Sequence, residues 1–202
     1  MREGLAISLL IVWIGASGCK KGSGEKRTSA DAGATTEAPV RLSFPGTQDG
    51  AAAVVRELVK PGGYAISVFR ALRPDPEDYS VVFTPDVAIG VRTELDPIFD
   101  LGNMSMKMGP ELTELQIAGV RTEDLRAGTG KAETCPSAWK WASRHMRPGV
   151  VMYCFKLVKP GETEGQVRDG LIYVNGHWAI FPKPFQAIRG ALKDAGVHED
   201  DE

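Results

Sequence analysis

Gly170-Leu-Ile-Tyr-Val-Asn-Gly-His-Trp-Ala-Ile-Phe181 is the stretch on which the fold turns. Asn175-Gly176 separates two apolar runs, and both residues tolerate the positive φ that a two-residue type I′ turn requires, so the stretch predicts a β-hairpin. The turn sets the register: Val174 opposite His177, Tyr173 opposite Trp178, Leu171 opposite Ile180. Leu171, Tyr173, Trp178 and Ile180 then share one face, with an aromatic cross-strand pair among them. Ile172, Val174, His177, Ala179 and Phe181 share the other. Two apolar faces predict a sheet that is covered on both sides or strongly curved.

Outward from the hairpin, Pro182 and Pro184 end the pairing, and Phe185 to Leu192 reads as a short closing helix. Upstream, Val150 to Val158 is rich in β-branched and aromatic residues between Pro148-Gly149 and Pro160-Gly161, and reads as a strand. Leu115 and Ile117 alternate with Glu114 and Gln116, and Met104, Met106 and Met108 alternate with Asn103, Ser105 and Lys107, so both segments read as strands.

The first half of the domain has a helical period instead. Asp49 is the expected cap of a helix bearing Val54, Val55 and Leu58, stopped by Lys60-Pro61-Gly62-Gly63. Ala65, Phe69 and Leu72 mark a second helix, ending before Pro74. Asp75-Pro76-Glu77-Asp78 supplies an acidic cap, a proline at the first helical position and acids in the first turn. Tyr79, Val82 and Phe83 form that helix's apolar side. Thr84-Pro85-Asp86 repeats the signal and opens a longer helix with Val87, Val91, Leu95 and Ile98 in one stripe, closed near Gly102. The expected fold is α+β: N-terminal amphipathic helices packed on a curved, mainly antiparallel sheet that ends in a β-hairpin.

The chain has 202 residues, with 24 Lys or Arg against 26 Asp or Glu, a formal net charge of -2. A nucleic-acid partner would call for a basic excess and is not expected. The 23 glycines and 13 prolines are about 18 % of the chain, above the roughly 12 % average and below the 25–30 % of low-complexity chains. From Lys20 to Pro39 the chain is mainly Lys, Gly, Ser, Glu, Thr and Ala with no large apolar side chain, so residues 19–40 read as a flexible tether, about 20 residues of which span roughly 22–27 Å root-mean-square. Residues 194–202 hold five acids and no Lys or Arg, a solvated acidic tail. Residues 41–193 are the globular domain.

Residues 1–18 have the form of a signal peptide: Arg2, then an apolar run from Gly4 to Gly15 of about a dozen residues, too short for the roughly 20 that span a bilayer. Ala16-Ser17-Gly18 and Cys19 follow. This ending resembles the lipobox of bacterial lipoproteins. The resemblance implies removal of residues 1–18, a diacylglycerol thioether on Cys19, and usually a palmitate-type chain on the new amine. With Lys20 rather than Asp next in line, it also implies a place at the outer membrane, facing the periplasm. The membrane is then a partner through the N-terminal acyl chains. The alternative is an ordinary secretory signal in which Cys19 is incidental.

The order of elements, the phrase Phe83-Thr84-Pro85-Asp86 after paired helices, and the Asn175 to Ile180 hairpin resemble the nuclear transport factor two-like superfamily. That resemblance implies helices packed into a curved sheet, and leaves function open between enzyme, binder and structural module.

Three cysteines become an even number once Cys19 is assigned to lipid, and an exported chain meets an oxidising compartment. Cys135 and Cys154 are therefore the candidate disulfide, which would staple the tryptophan-containing segment after Pro136 to the Val150 strand. The alternative is two buried free thiols. Ser137 to Arg147 reads as a helix with Trp139, Ala142 and Met146 on one side and Lys140, Arg144 and Arg147 on another. Those three cations are the candidate contact with anionic lipid headgroups; the alternative is a surface segment that buries its tryptophans against the sheet.

No catalytic residue, metal ligand or cofactor site is assigned. His145 and His177 have no Ser-His-acid or metal-ligand spacing around them and read as structural, and His198 lies in the tail. No phosphate loop or dinucleotide glycine fingerprint is present. Glu114 and Asp169 are the only acids outside helix starts to weigh as general acids, and strand alternation points both toward water. The expected function is a lipid-anchored envelope module that binds or scaffolds, with another envelope protein or a small apolar ligand as partner. The other class is a small-molecule acid–base enzyme with an apolar cone-shaped pocket, marked by a buried carboxylate near Tyr79, Tyr153 or Tyr173.

Overall fold

A computed structural model describes residues 41–60, 65–101 and 109–196. Cys19, the signal, the tether, the Met104–Met108 strand, His198 and most of the acidic tail lie outside the described residues.

The fold is α+β. Four helices, α1 (Gln48–Leu58), α2 (Ala65–Ala71), α3 (Pro76–Val82) and α4 (Ala88–Asp100), precede strand β1 (Glu114–Arg121). Helices α5 (Thr122–Ala127) and α6 (Ala138–Ala142) link it to β2 (Val151–Val158), the hairpin β3 (Gly165–Val174) and β4 (His177–Ile180), and the closing helix α7 (Pro184–Asp194). The strands form one antiparallel sheet in the order β1-β2-β3-β4. The hairpin has the register expected of its turn, with Tyr173 opposite Trp178 and Val174 opposite His177. Asn175 and Gly176 have φ of 48° and 83°, the positive values a type I′ turn demands.

Both faces of the sheet are covered. On one, Leu171, Trp178, Ile180, Tyr153 and Phe155 pack with Val54, Val55 and Leu58 of α1 and Val68 and Phe69 of α2. On the other, Ile172, Val174, Ala179 and Phe181 pack with α3, α4, α6 and α7 through Tyr79, Val91, Trp139 and Ile188. A strand whose two faces are both buried needs apolar side chains at successive positions rather than alternate ones, which is the composition of the Leu171–Phe181 hairpin.

Three boundaries differ from the sequence reading. Thr47, not Asp49, caps α1: its hydroxyl accepts from the Gly50 N–H at 3.2 Å, and Asp49 falls in the first turn, where it favours the dipole without capping. Helix α4 starts later than Thr84-Pro85-Asp86, because the Thr84 carbonyl accepts from both Val87 and Ala88 and closes a turn first. The helix expected over Ser137–Arg147 is shorter, a five-residue α6 followed by a 3-10 turn at Ser143–His145. The chain there must leave the helix to bridge Phe83 to Met146, with the Thr84 N–H donating to the His145 carbonyl and Arg147 N–H to Val82.

Strand β3 carries a bulge. Tyr153 pairs with Leu171 and Phe155 with Arg168, so Asp169 and Gly170 together stand opposite Cys154. Gly170 has φ of 85°, which an L side chain adopts only at a cost. Its carbonyl accepts from Phe181 N–H at 2.8 Å, extending the hairpin beyond β4.

Candidate functional site

The most concentrated polar chemistry in the described residues gathers where α3 begins and the hairpin turns. Asp75 precedes α3, and Asp78, in its first turn, reaches back so that Oδ2 accepts from the Asp75 N–H at 2.6 Å. This is half of a capping interaction, and it accounts for the acidic start of the helix. Asp78 is also completely buried, which no exposed cap would be. A buried carboxylate needs partners for its remaining lone pairs. The hairpin turn supplies them: Asn175 Nδ2 donates to Asp78 Oδ1 at 2.8 Å, across 97 residues of chain.

His177 completes the group. Its Nε2 lies 3.0 Å from Asp78 Oδ2 and 3.8 Å from Asp75 Oδ2. The side chain is 12 % exposed, while Nε2 itself is screened from solvent and makes no hydrogen bond, because its approach to Asp78 is short but off line. Arg41 closes the outer side through an ion pair with Asp75 Oδ1, and also donates to the Arg73 carbonyl at 2.7 Å. Asp75, Asp78 and His177 each offer one ligand-type atom, all within 4.8 Å of one another.

Neither half of this site is hidden in the sequence, yet their meeting is. Asp75-Pro76-Glu77-Asp78 reads completely as a helix start, and Asn175-Gly176 reads completely as a turn. The available signal was His177 itself, a lone polar residue on the hairpin face with Ile172, Val174 and Phe181, which must find a polar partner once that face is buried.

Cys135 and Cys154 are joined by a disulfide, with Cα atoms 5.4 Å apart, so the segment before α6 is stapled to β2 as the pairing implied. Beside it, Ala118, Cys135, Pro136, Lys156 and Val167 line a cleft of about 490 Å³. Lys140, Arg144 and Arg147 are exposed, and Arg147 Nε donates to the Ser80 carbonyl at 2.7 Å. The aromatics beside them turn inward: Trp139 is buried in the core, and Trp141 lies 5.1 Å from the Arg189 guanidinium and 5.3 Å from the His145 ring. His145 Nδ1 is 3.6 Å from Oδ2 of the exposed Asp86.

Glu114 is exposed, as alternation implied. Asp169 is not, since the bulge rotates it inward. Burial pushes its carboxyl up from the usual range, opposed by the Trp139 indole and by Arg168 and Lys183. The Trp139 Nε1 faces that carboxylate without hydrogen-bond geometry. Burial likewise pushes up the Tyr79 hydroxyl, which sits against Phe181 with no hydrogen-bond partner. Asp96, the acid that acts on it, is held by Arg92 and Arg73. Tyr173 OH donates to the Gly176 carbonyl at 3.0 Å.

No protein family, no curated protein and no solved structure matches this chain.

Proposed function

We propose that the chain is a lipid-anchored protein of the bacterial envelope whose α+β domain binds or scaffolds rather than catalyses. The observation that carries this reading is the short apolar run closed by Ala16-Ser17-Gly18-Cys19, followed by a tether without large apolar residues. The Cys135–Cys154 bond supports it, because structural disulfides belong to oxidising compartments. Filling of both sheet faces supports the non-catalytic half: Trp178 and Phe155 occupy one face and Trp139 and Phe181 the other, where an acid–base enzyme of this architecture would need an open apolar cone. The acylated Cys19 would hold the domain at the outer membrane on its periplasmic side, with at least two acyl chains, since one chain anchors only marginally. No helix among the described residues is long and apolar enough to cross a membrane.

The test is metabolic labelling of the full chain with radioactive palmitate in a bacterial host. Wild type is expected to carry label in the membrane fraction, and Cys19→Ser to carry none. Label retained by Cys19→Ser, or absent from wild type, refutes the anchor. The enzyme reading draws on one observation, the raised carboxyl of Asp169, the expected state of a general acid.

A further inference from the structure

We propose that Asp75, Asp78 and His177 bind a divalent transition-metal ion of the zinc class, bringing together the start of α3 and the hairpin turn. The argument starts from His177 Nε2. As a neutral imidazole with its lone pair at Nε2, it would set two acceptors 3.0 Å apart against Asp78 Oδ2. As a protonated ring, it would place an N–H there, but the direction required of a hydrogen bond is not met and the atom is screened from water. A cation between the two atoms removes both difficulties.

The rest of the group is arranged for that. Asn175 takes Oδ1 of Asp78 and Arg41 takes Oδ1 of Asp75, so in both carboxylates it is Oδ2 that turns toward His177; Asp78 Oδ2 also accepts from the Asp75 N–H, which leaves it one lone pair for a cation. Such outer partners orient ligands in metal sites. Two carboxylates against one guanidinium leave a surplus negative charge, which outweighs the partial positive end of the seven-residue α3. Zinc bonds of 2.0–2.2 Å set tetrahedral ligands about 3.3–3.6 Å apart, and the separations here are 3.0 and 3.8 Å with none beyond 4.8 Å. Side-chain adjustments of about an ångström suffice. One imidazole among the ligands selects zinc-class ions over calcium, which takes oxygens. Three protein ligands leave a fourth position beside Asp75, which is 45 % exposed.

The experiment is calorimetric titration of Zn(II) into the metal-stripped full chain in detergent. Wild type and His145→Gln are expected to bind one equivalent at this site. Asp75→Asn, which keeps a good helix cap while removing the charge, and His177→Gln are each expected to weaken that equivalent more than tenfold. Absence of binding to wild type, or equal binding in all four proteins, overturns the proposal and leaves the trio an ion pair. Should either variant fail to fold by circular dichroism, Cu(II) bound to His145→Gln/His198→Gln, in which His177 is the only histidine of the chain, decides: electron spin-echo modulation from an imidazole nitrogen supports the site, and its absence overturns it.

Discussion

Removing the Cys135–Cys154 bond is the perturbation whose size follows most directly from the structure. The bond spans 19 positions of sequence, and a loop of that length restricts the denatured chain by about 3 kcal/mol at 25 °C. For a domain of roughly 150 residues that corresponds to a midpoint lowered by about 6–12 °C. Cys154 and Cys135 are both buried in the core on the α3–α7 side of the sheet, so substitution also disturbs packing, and two comparators are needed. Cys135→Ala/Cys154→Ala removes the sulfurs, whereas reduced wild type keeps their volume. Urea unfolding of the full chain should show both forms less stable than oxidised wild type by a similar amount. Both should also have a larger m-value, because the uncrosslinked denatured state exposes more surface. A loss below about 1 kcal/mol in reduced wild type, with an unchanged m-value, would refute the denatured-state account.

Asp169→Asn should raise stability at pH 7 and flatten its pH dependence. Burial raises the folded carboxyl above its unfolded value, so the stability linked to this group is complete below about pH 4 and is lost as pH rises through the raised folded value; thermal melts of both proteins from pH 4 to 8 measure it, and parallel profiles would refute it. Gly170→Ala should cost at least about 2 kcal/mol, since φ is positive and a Cβ would meet the Phe181 carbonyl oxygen at 2.0 Å. Gly176→Ala, with the same sign of φ but open space around it, should cost only about 1–2 kcal/mol. Equal losses in urea titrations would show that the close approach at Gly170 relaxes.

What was legible in the sequence was whatever local chemistry decides. The I′ turn at Asn175-Gly176 fixed the hairpin register, and the doubly apolar run from Leu171 to Phe181 required cover on both faces. Proline at the first position of α3 and the β-branched run of β2 were equally local. The bulge at Asp169-Gly170 was not legible, because one extra residue opposite Cys154 is a property of the β2–β3 pairing and of no single strand. Its consequence is the largest error about a side chain: alternation aims Asp169 at water, and the bulge turns it toward Trp139. The short α6 has a similar cause, since its C-terminal half is taken by the bridge from Met146 to Phe83.

The Asp75–Asp78–His177 group shows why a complete local explanation can conceal a site. An N-terminal acid is satisfied by its own helix, and an Asn-Gly turn by its own hairpin, so neither asks for anything more. Burial changes the account. With Asp78 fully inaccessible, every lone pair and every neighbouring ring nitrogen needs a partner from elsewhere in the chain, and Asn175 and His177 arrive together because they sit on one turn. Arg41 adds a third strand to this argument. Its guanidinium ties Asp75 to the carbonyl of Arg73, two residues beyond the end of α2. Arg41 is thus fastened to the same carboxylate that faces His177, and the start of α3, the hairpin turn and a residue ahead of α1 meet at one polar site.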